Sequence, residues 1–283
     1  MLFLRFLFCV LLPCAALGKL DIQEQLRKIP PTEQEEIAYF FKNAVFWDSF
    51  GYVLFGYKPC AIGVQYEISW SPLSWLKWVL PHPRKLWKGW RAWRKYESLF
   101  PHPKFLLFTE KGAHTDLFVI LINRNQFVQT VRQHQADFES VLGKPFEPDH
   151  LFESDHTLLS EKLQNHDGLI GTVLGYGRNN AWAFFKGQRS LDSFTLPHEN
   201  EQFLTFCRKA KYNSITCQTL DLAGMPLPGF KADLNDPETI ELRRLYVEAR
   251  KAIQDHYREA DFLLLTLELL TSQYIPLPPE LCP

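Results

Sequence analysis

The chain has 283 residues, with 31 basic and 32 acidic side chains, 46% hydrophobic and 22% charged residues. Those values fit a folded globular protein and exclude a globally disordered chain, a collagen-like repeat and a polytopic membrane protein. A net charge of −1 gives no general attraction to nucleic acid, which is not expected as a partner.

Residues 1–18 read MLFLRFLFCVLLPCAALG. Arg5 precedes an apolar run over 6–12, Pro13 breaks it, and Ala16-Leu17-Gly18 offers small residues for cleavage. That is the layout of a secretory signal peptide, and the run is too short for a permanent membrane span. The expectation is an exported protein whose mature chain begins at Lys19 and forms a single mixed domain over 19–283. A buried N-terminal helix or an uncleaved membrane tether is the alternative, as is an acyl anchor on Cys14, although Pro13 departs from the lipidation pattern.

Pro30-Pro31 followed by Thr32-Glu33-Gln34-Glu35 predicts a capping box and a helix to about Val45. Residues 50–57 and 60–68 predict two extended runs joined at Gly56-Tyr57-Lys58-Pro59. Six of the eight Trp fall between residues 70 and 93, and no acidic residue occurs from Ile68 to Tyr96. On a helix, Leu86, Trp90 and Trp93 share one face, while Arg84, Lys88, Arg91 and Lys95 share the opposite one. Trp favours the headgroup zone of a bilayer, and Lys and Arg are drawn to anionic lipid. Trp87, Trp90, Trp93, Arg84, Lys88, Arg91 and Lys95 are therefore candidate contacts to a membrane surface or a protein partner. The same pattern arises where a surface helix buries Trp90 and Trp93 in the protein's own core. Pro81-His82-Pro83 and Pro101-His102-Pro103 bracket this segment as rigid turns.

Residues 104–110 and 116–123 predict a β-hairpin, and 126–142 one helix ended by Gly143. Short helices are expected over 158–164, 169–174 and 181–185. Asp155, Asp167 and Asn179 or Asn180 are their candidate caps. Asp236-Pro237 should open a long helix to about Ser272, with Leu242, Leu245, Tyr246, Ala249, Ile253, Tyr257 and Ala260 as its apolar stripe. The fold class is α+β: mostly helical, with a small antiparallel sheet and a long C-terminal helix. A subdomain boundary near 146 is the alternative organisation.

Catalytic patterns are weak: no G-x-S-x-G, H-E-x-x-H or phosphate-loop motif occurs. No metal or cofactor is expected. His166 and Asp167 are the candidate acid–base pair, with Asp149-His150, Asp155-His156 and Asp255-His256 as further acid–His neighbours. Gly175, Gly177, Arg178 and Asn180 could present N–H groups and a cation to an anion; a plain turn is the competing reading. Cys207 and Cys217 are the first candidate disulfide, leaving Cys60 with Cys282; four unpaired thiols are the alternative.

Gly51-Tyr52-x-Leu54-Phe55-Gly56-x-Lys58-Pro59 and Leu169-x-Gly171-x-x-Leu174-Gly175-Tyr176-Gly177-x-x-Asn180-Ala181, in this order, resemble a family of uncharacterised proteins from chlamydiae and chlamydia-like bacteria. The resemblance implies a Gram-negative intracellular bacterium, with the protein in periplasm or envelope or delivered to a host. It supplies no catalytic residue. Two functions follow as expectations. One is an exported, envelope-associated or host-directed binding protein acting through residues 70–96. The other is a hydrolase or small-ligand-binding protein with a cleft near 150–180, where Arg178 would hold an anion and His166 would act as base.

Overall fold

A computed structural model describes residues 21–66, 81–111, 116–149, 159–195 and 222–271. The leader, Cys207, Cys217, Cys282, His150, His156, Trp70, Trp75 and Trp78 lie outside them. In chain order the elements begin with helices α1 (Ile22–Arg27), α2 (Pro31–Trp47) and α3 (Phe50–Leu54), strand β1 (Cys60–Tyr66) and helix α4 (Pro81–Tyr96). Strands β2 (Phe105–Lys111) and β3 (Asp116–Asn123) follow, then helices α5 (Arg124–Gln133), α6 (Gln135–Leu142), α7 (Leu159–Lys162), α8 (Asp167–Val173) and α9 (Arg178–Phe185). A two-residue ladder, β4 (Asp192–Ser193) with β5 (Lys231–Ala232), precedes α10 (Pro237–Arg258) and α11 (Phe262–Thr271). The architecture is α+β, mostly helical, with a small antiparallel sheet and a long helix near the C-terminus.

The sheet explains the two cores. Its order is β1-β3-β2, all antiparallel. The central strand β3 is apolar on both faces because both are covered, and successive side chains point to opposite sides. Val119 and Leu121 join Ala61 and Leu107 in one core with α2, α3, α4, α10 and α11. Ile120 and Ile122 join Cys60 in a second core with Phe127, Val131, Phe138, Leu163, Leu169 and Val173. Both cores draw on residues from either side of position 146.

Several local expectations need correction. Residues 50–54 form a helix rather than a strand. All five are buried, and they pair with no strand among the described residues, so most of their polar backbone groups are satisfied within the helix and the turn after it. Gly56, at φ 80°, then turns the chain, and the amides of Tyr57 and Lys58 both donate to Tyr52 O. No capping box forms at α2. Pro31 occupies its first turn, and the Gln34 amide reaches back to Leu26 O and Ile29 O, tying α1 to α2. The helix expected over 126–142 breaks at His134, whose backbone lies at φ −115°, ψ 23°. The helix expected over 236–272 folds back on itself: Asp261 caps α11 through Leu264 N, and Tyr257 Oη hydrogen-bonds Thr266 Oγ1 at 3.0 Å. Ala260 is consequently exposed rather than part of the stripe.

Helices α2 and α4 approach closely at Gly89. A Cβ there would lie 2.2 Å from Glu36 O and 2.7 Å from Phe40 Cβ. Gly89→Ala should therefore push the helices apart and destabilise the fold by about 3 kcal/mol, the upper range for overpacking. Urea unfolding monitored by Trp fluorescence measures it; an unchanged midpoint would contradict this packing.

Candidate functional site

The Trp/basic helix is amphipathic as its spacing predicts, but its aromatic face points inward. Trp90 is 4% and Trp93 0% exposed. Trp93 meets Phe41 edge-on at 5.0 Å and stacks on Phe100, while Trp90 packs on Phe40. Trp87 is half-buried against the same core. The expectation that Trp90 and Trp93 touch a membrane or partner is therefore corrected: these rings hold α4 to α2. The basic side chains Arg84, Lys88, Arg91 and Lys95 do lie exposed. Lys95 bonds Glu33 at 2.9 Å, and Lys88 lies 3.6 Å from Glu36.

The turn at 175–180 carries its own anion. The Glu238 carboxylate of α10 accepts from Arg178 N at 2.9 Å and Asn179 N at 2.7 Å, filling the N-terminus of α9. Arg178 forks onto Asp137, its Nη2 at 2.8 Å, and this partner holds the Asp137 carboxyl below the usual range. Asn180 is 1% exposed; it bonds Tyr176 O and Thr239 Oγ1 and accepts from Asp233 N. The expected anion site at Gly175, Gly177, Arg178 and Asn180 is thus occupied by Glu238 and Asp137. Neither Asn179 nor Asn180 caps α9: Gly177 is the N-cap residue and Glu238 supplies the capping oxygens.

Of the other expected caps, Asp155 lies outside the described residues and Asp167 is not the cap. His166 Nδ1, rather than Asp167, caps α8 by accepting from Leu169 N at 3.3 Å. Its ring packs in a cluster with those of Trp182 and Phe185, which also meet each other edge-on. His166 thus acts as a capping residue through Nδ1, and it is not among the residues that line the groove described below. Glu110 of β2 caps α7 through Leu159 N and Ser160 N, with Ser160 Oγ also donating to it. Cys60 is a free thiol, fully buried among the apolar residues of the second core. Burial pushes its pKa up to about 12, so it stays protonated and unreactive at neutral pH. Among the described residues no group of His, Cys, Asp and Glu could hold a metal ion, and no helix is long and apolar enough to cross a membrane.

The two sequence motifs meet. Gly175, at φ 70°, passes so close to its neighbours that a Cβ would lie 2.7 Å from Tyr246 Oη and 3.1 Å from Pro59 Cδ. Tyr246 donates to Gly175 O at 2.6 Å. Lys58, 3% exposed, places Nζ 5.2 Å over the Tyr176 ring. Tyr176 stacks on Phe230 at 4.6 Å, Phe230 on Phe194 at 4.2 Å, and Arg243 lies over Phe194 at 5.6 Å. Three rings thus form a column with a cation at each end.

Beside this column lies a groove of about 510 Å³. Its walls are Ile170, Gly171 and Leu174 of the α8 segment, Ala181 and Phe184 of α9, and Ser193, Gly229 and Lys231 at the β4–β5 strand pair. Tyr176 and Phe230 line it, and Asp167 stands at its α8 side. Phe184 is 54% exposed there. Gly175 to Asn180 point toward this region in the sequence, but Ser193, Phe230 and Lys231 do not. Two-residue strands leave no periodic signal.

Two further groups have displaced protonation equilibria. Burial lowers the Lys58 pKa to about 8. Asp48 sits over Gly63, whose Cβ would lie 2.6 Å from Oδ2, and burial raises its pKa to about 7. For Asp48 the folded pKa exceeds the unfolded one, so its protonated form favours folding, and that stability is lost as pH rises from about 4 to 7. Asp48→Asn should remove this slope and stabilise the protein at pH 8 by about 2 kcal/mol, less than the full shift because the carboxyl keeps some water contact. Gly175→Ala should destabilise by about 2 kcal/mol or more through the left-handed backbone and the clash. Chemical denaturation at pH 5 and pH 8 checks both; a parallel pH slope in Asp48→Asn, or a Gly175→Ala midpoint equal to wild type, would contradict them.

Comparison with known proteins finds no match: no family model, no curated protein and no solved structure is significantly similar to the chain.

Proposed function

We propose that this chain is an exported binding protein that holds a small apolar or amphipathic molecule in the groove between α8, α9 and the β4–β5 strand pair. Export rests on the leader-like composition of residues 1–18. The observation that carries the binding reading is the groove itself. At about 510 Å³ it has the size of small-molecule sites, and its walls are mainly apolar with few polar groups at the edge. An enzymatic reading has less support, because His166 is engaged as a cap and Arg178 is paired with Asp137.

A second reading retains contact with an anionic membrane surface through α4, now by charge alone. It is supported by the exposed basic face from Arg84 to Lys95 and by a helix containing no acidic residue. Its strength is limited by Glu33, Glu36 and Glu97, which pair with Lys95, Lys88 and Arg94.

The groove is tested with the neutral dye Nile red. Wild type should enhance its fluorescence saturably. Gly229→Trp should abolish this without unfolding, since a Cβ at Gly229 meets nothing within 4 Å. Equal enhancement by Gly229→Trp would refute the groove as the site. The second reading predicts flotation with anionic but not zwitterionic vesicles, lost at about 1 M salt, where the screening length is roughly 3 Å. It also predicts loss in Lys85→Glu/Arg91→Glu. Wild type that fails to float at low salt ends it.

A further inference from the structure

The groove's polar groups are not equivalent, and their differences select a ligand. Asn180 lines the groove, but its amide is fully engaged with Tyr176, Thr239 and Asp233. Tyr176 and Phe230 also line it, yet their faces are taken. Tyr176 lies between Lys58 and Phe230, and Phe230 between Tyr176 and Phe194. Both rings therefore offer the groove their edges, which carry the positive end of the ring quadrupole.

The remaining cation is Lys231. It is exposed and has no carboxylate partner among the described residues. Ser193 lies directly across the strand pair from it, so the two side chains share one face. The bond from Phe194 N to Phe230 O at 3.0 Å holds this strand pair beside the groove. One rim thus presents the Lys231 ammonium and the exposed Ser193 hydroxyl, which pairs with Thr195 Oγ1 at 3.0 Å and keeps its proton for a ligand when Thr195 is the donor. The α8 rim presents the Asp167 carboxylate, and Ile170, Leu174 and Phe184 form apolar wall.

We infer that the groove binds an amphipathic monocarboxylate, an acyl or aryl acid, with its carboxylate at Lys231 and Ser193 and its apolar body along Ile170, Leu174 and Phe184. This rests on the groove being a binding site at all. Lys231 and the ring edges attract the anionic head, while Asp167 repels it from the α8 rim and so sets its direction. A cationic amphiphile meets the opposite field at the strand pair, and a neutral one gains only the apolar contacts.

The test is isothermal titration of the full chain at pH 7.5 with decanoate, decanol and decylammonium, each below its micellar concentration, alongside displacement of Nile red. Decanoate should bind about fivefold more tightly than decanol, the worth of one partly exposed ion pair, and decylammonium most weakly. Lys231→Met should bring decanoate to the level of decanol, and Lys231→Glu should invert the order. Lys231 is exposed, so neither variant should disturb folding, and circular dichroism verifies this. If decanol displaces the dye but decanoate binds no better, the carboxylate inference is overturned while the groove reading stands. If none of the three binds and none displaces the dye, both fall.

Discussion

The crossing at Gly175 is the constraint on which the rest of the molecule depends. Within about 3 Å of where its side chain would begin lie Tyr246 Oη, Pro59 and the Lys58 stem. Three remote stretches of chain can come this close only if the middle one has no Cβ and a positive φ. The consequences spread outward from there. Lys58 is held under Tyr176, Tyr176 under Phe230, and the strand pair next to Phe230 beside α9. Tyr246 also packs edge-on against Tyr52, and Tyr52 Oη donates to Pro226 O, which anchors the chain leading into β5. The groove is what remains open beside this stack.

The charges around the turn show why a local sequence reading of it misleads. Two glycines, an arginine and two asparagines before a helix have the composition of an anion site. Here the anions are Glu238 and Asp137, contributed by α10 and α6. An internal carboxylate at a helix N-terminus satisfies free amides and complements the helix dipole. The ion pairs at this turn consequently serve assembly, fixing α9 against α10 and α6. The ligand-facing charge is left to Lys231 on β5 and Asp167 on α8.

Much of the fold was legible because it rests on periodicity. The hairpin strands, the Gly143 stop, the Asp236-Pro237 start and the apolar stripe of α10 all follow from local patterns, as does the facial division of α4. The direction of that aromatic face was not legible, since a helix with six cations and three tryptophans reads the same whether Trp93 meets lipid or Phe41. Residues 50–54 read as a strand because Phe, Tyr and Val favour one, yet burial without a partner strand made them a helix. His166 and Glu110 cap helices through contacts that propensity does not rank. The two motifs were visible as motifs; that they touch each other depends on a sequence separation of more than a hundred residues. The site was the least legible part, because one wall, with Ser193, Gly229, Phe230 and Lys231, is set by a pair of two-residue strands and the chain entering them.

The most direct measurement of the Gly175–Lys58–Tyr176 arrangement is an NMR titration of the Lys58 side chain, assigned by comparison with Lys58→Met. An ammonium buried over the Tyr176 ring should titrate near pH 8, with ring-current-shifted ε-methylene protons. A midpoint near 10.4 with unshifted ε-protons is the behaviour of a solvent-exposed lysine. That result would mean the two motifs do not meet as described, and the groove built on their contact would have no foundation.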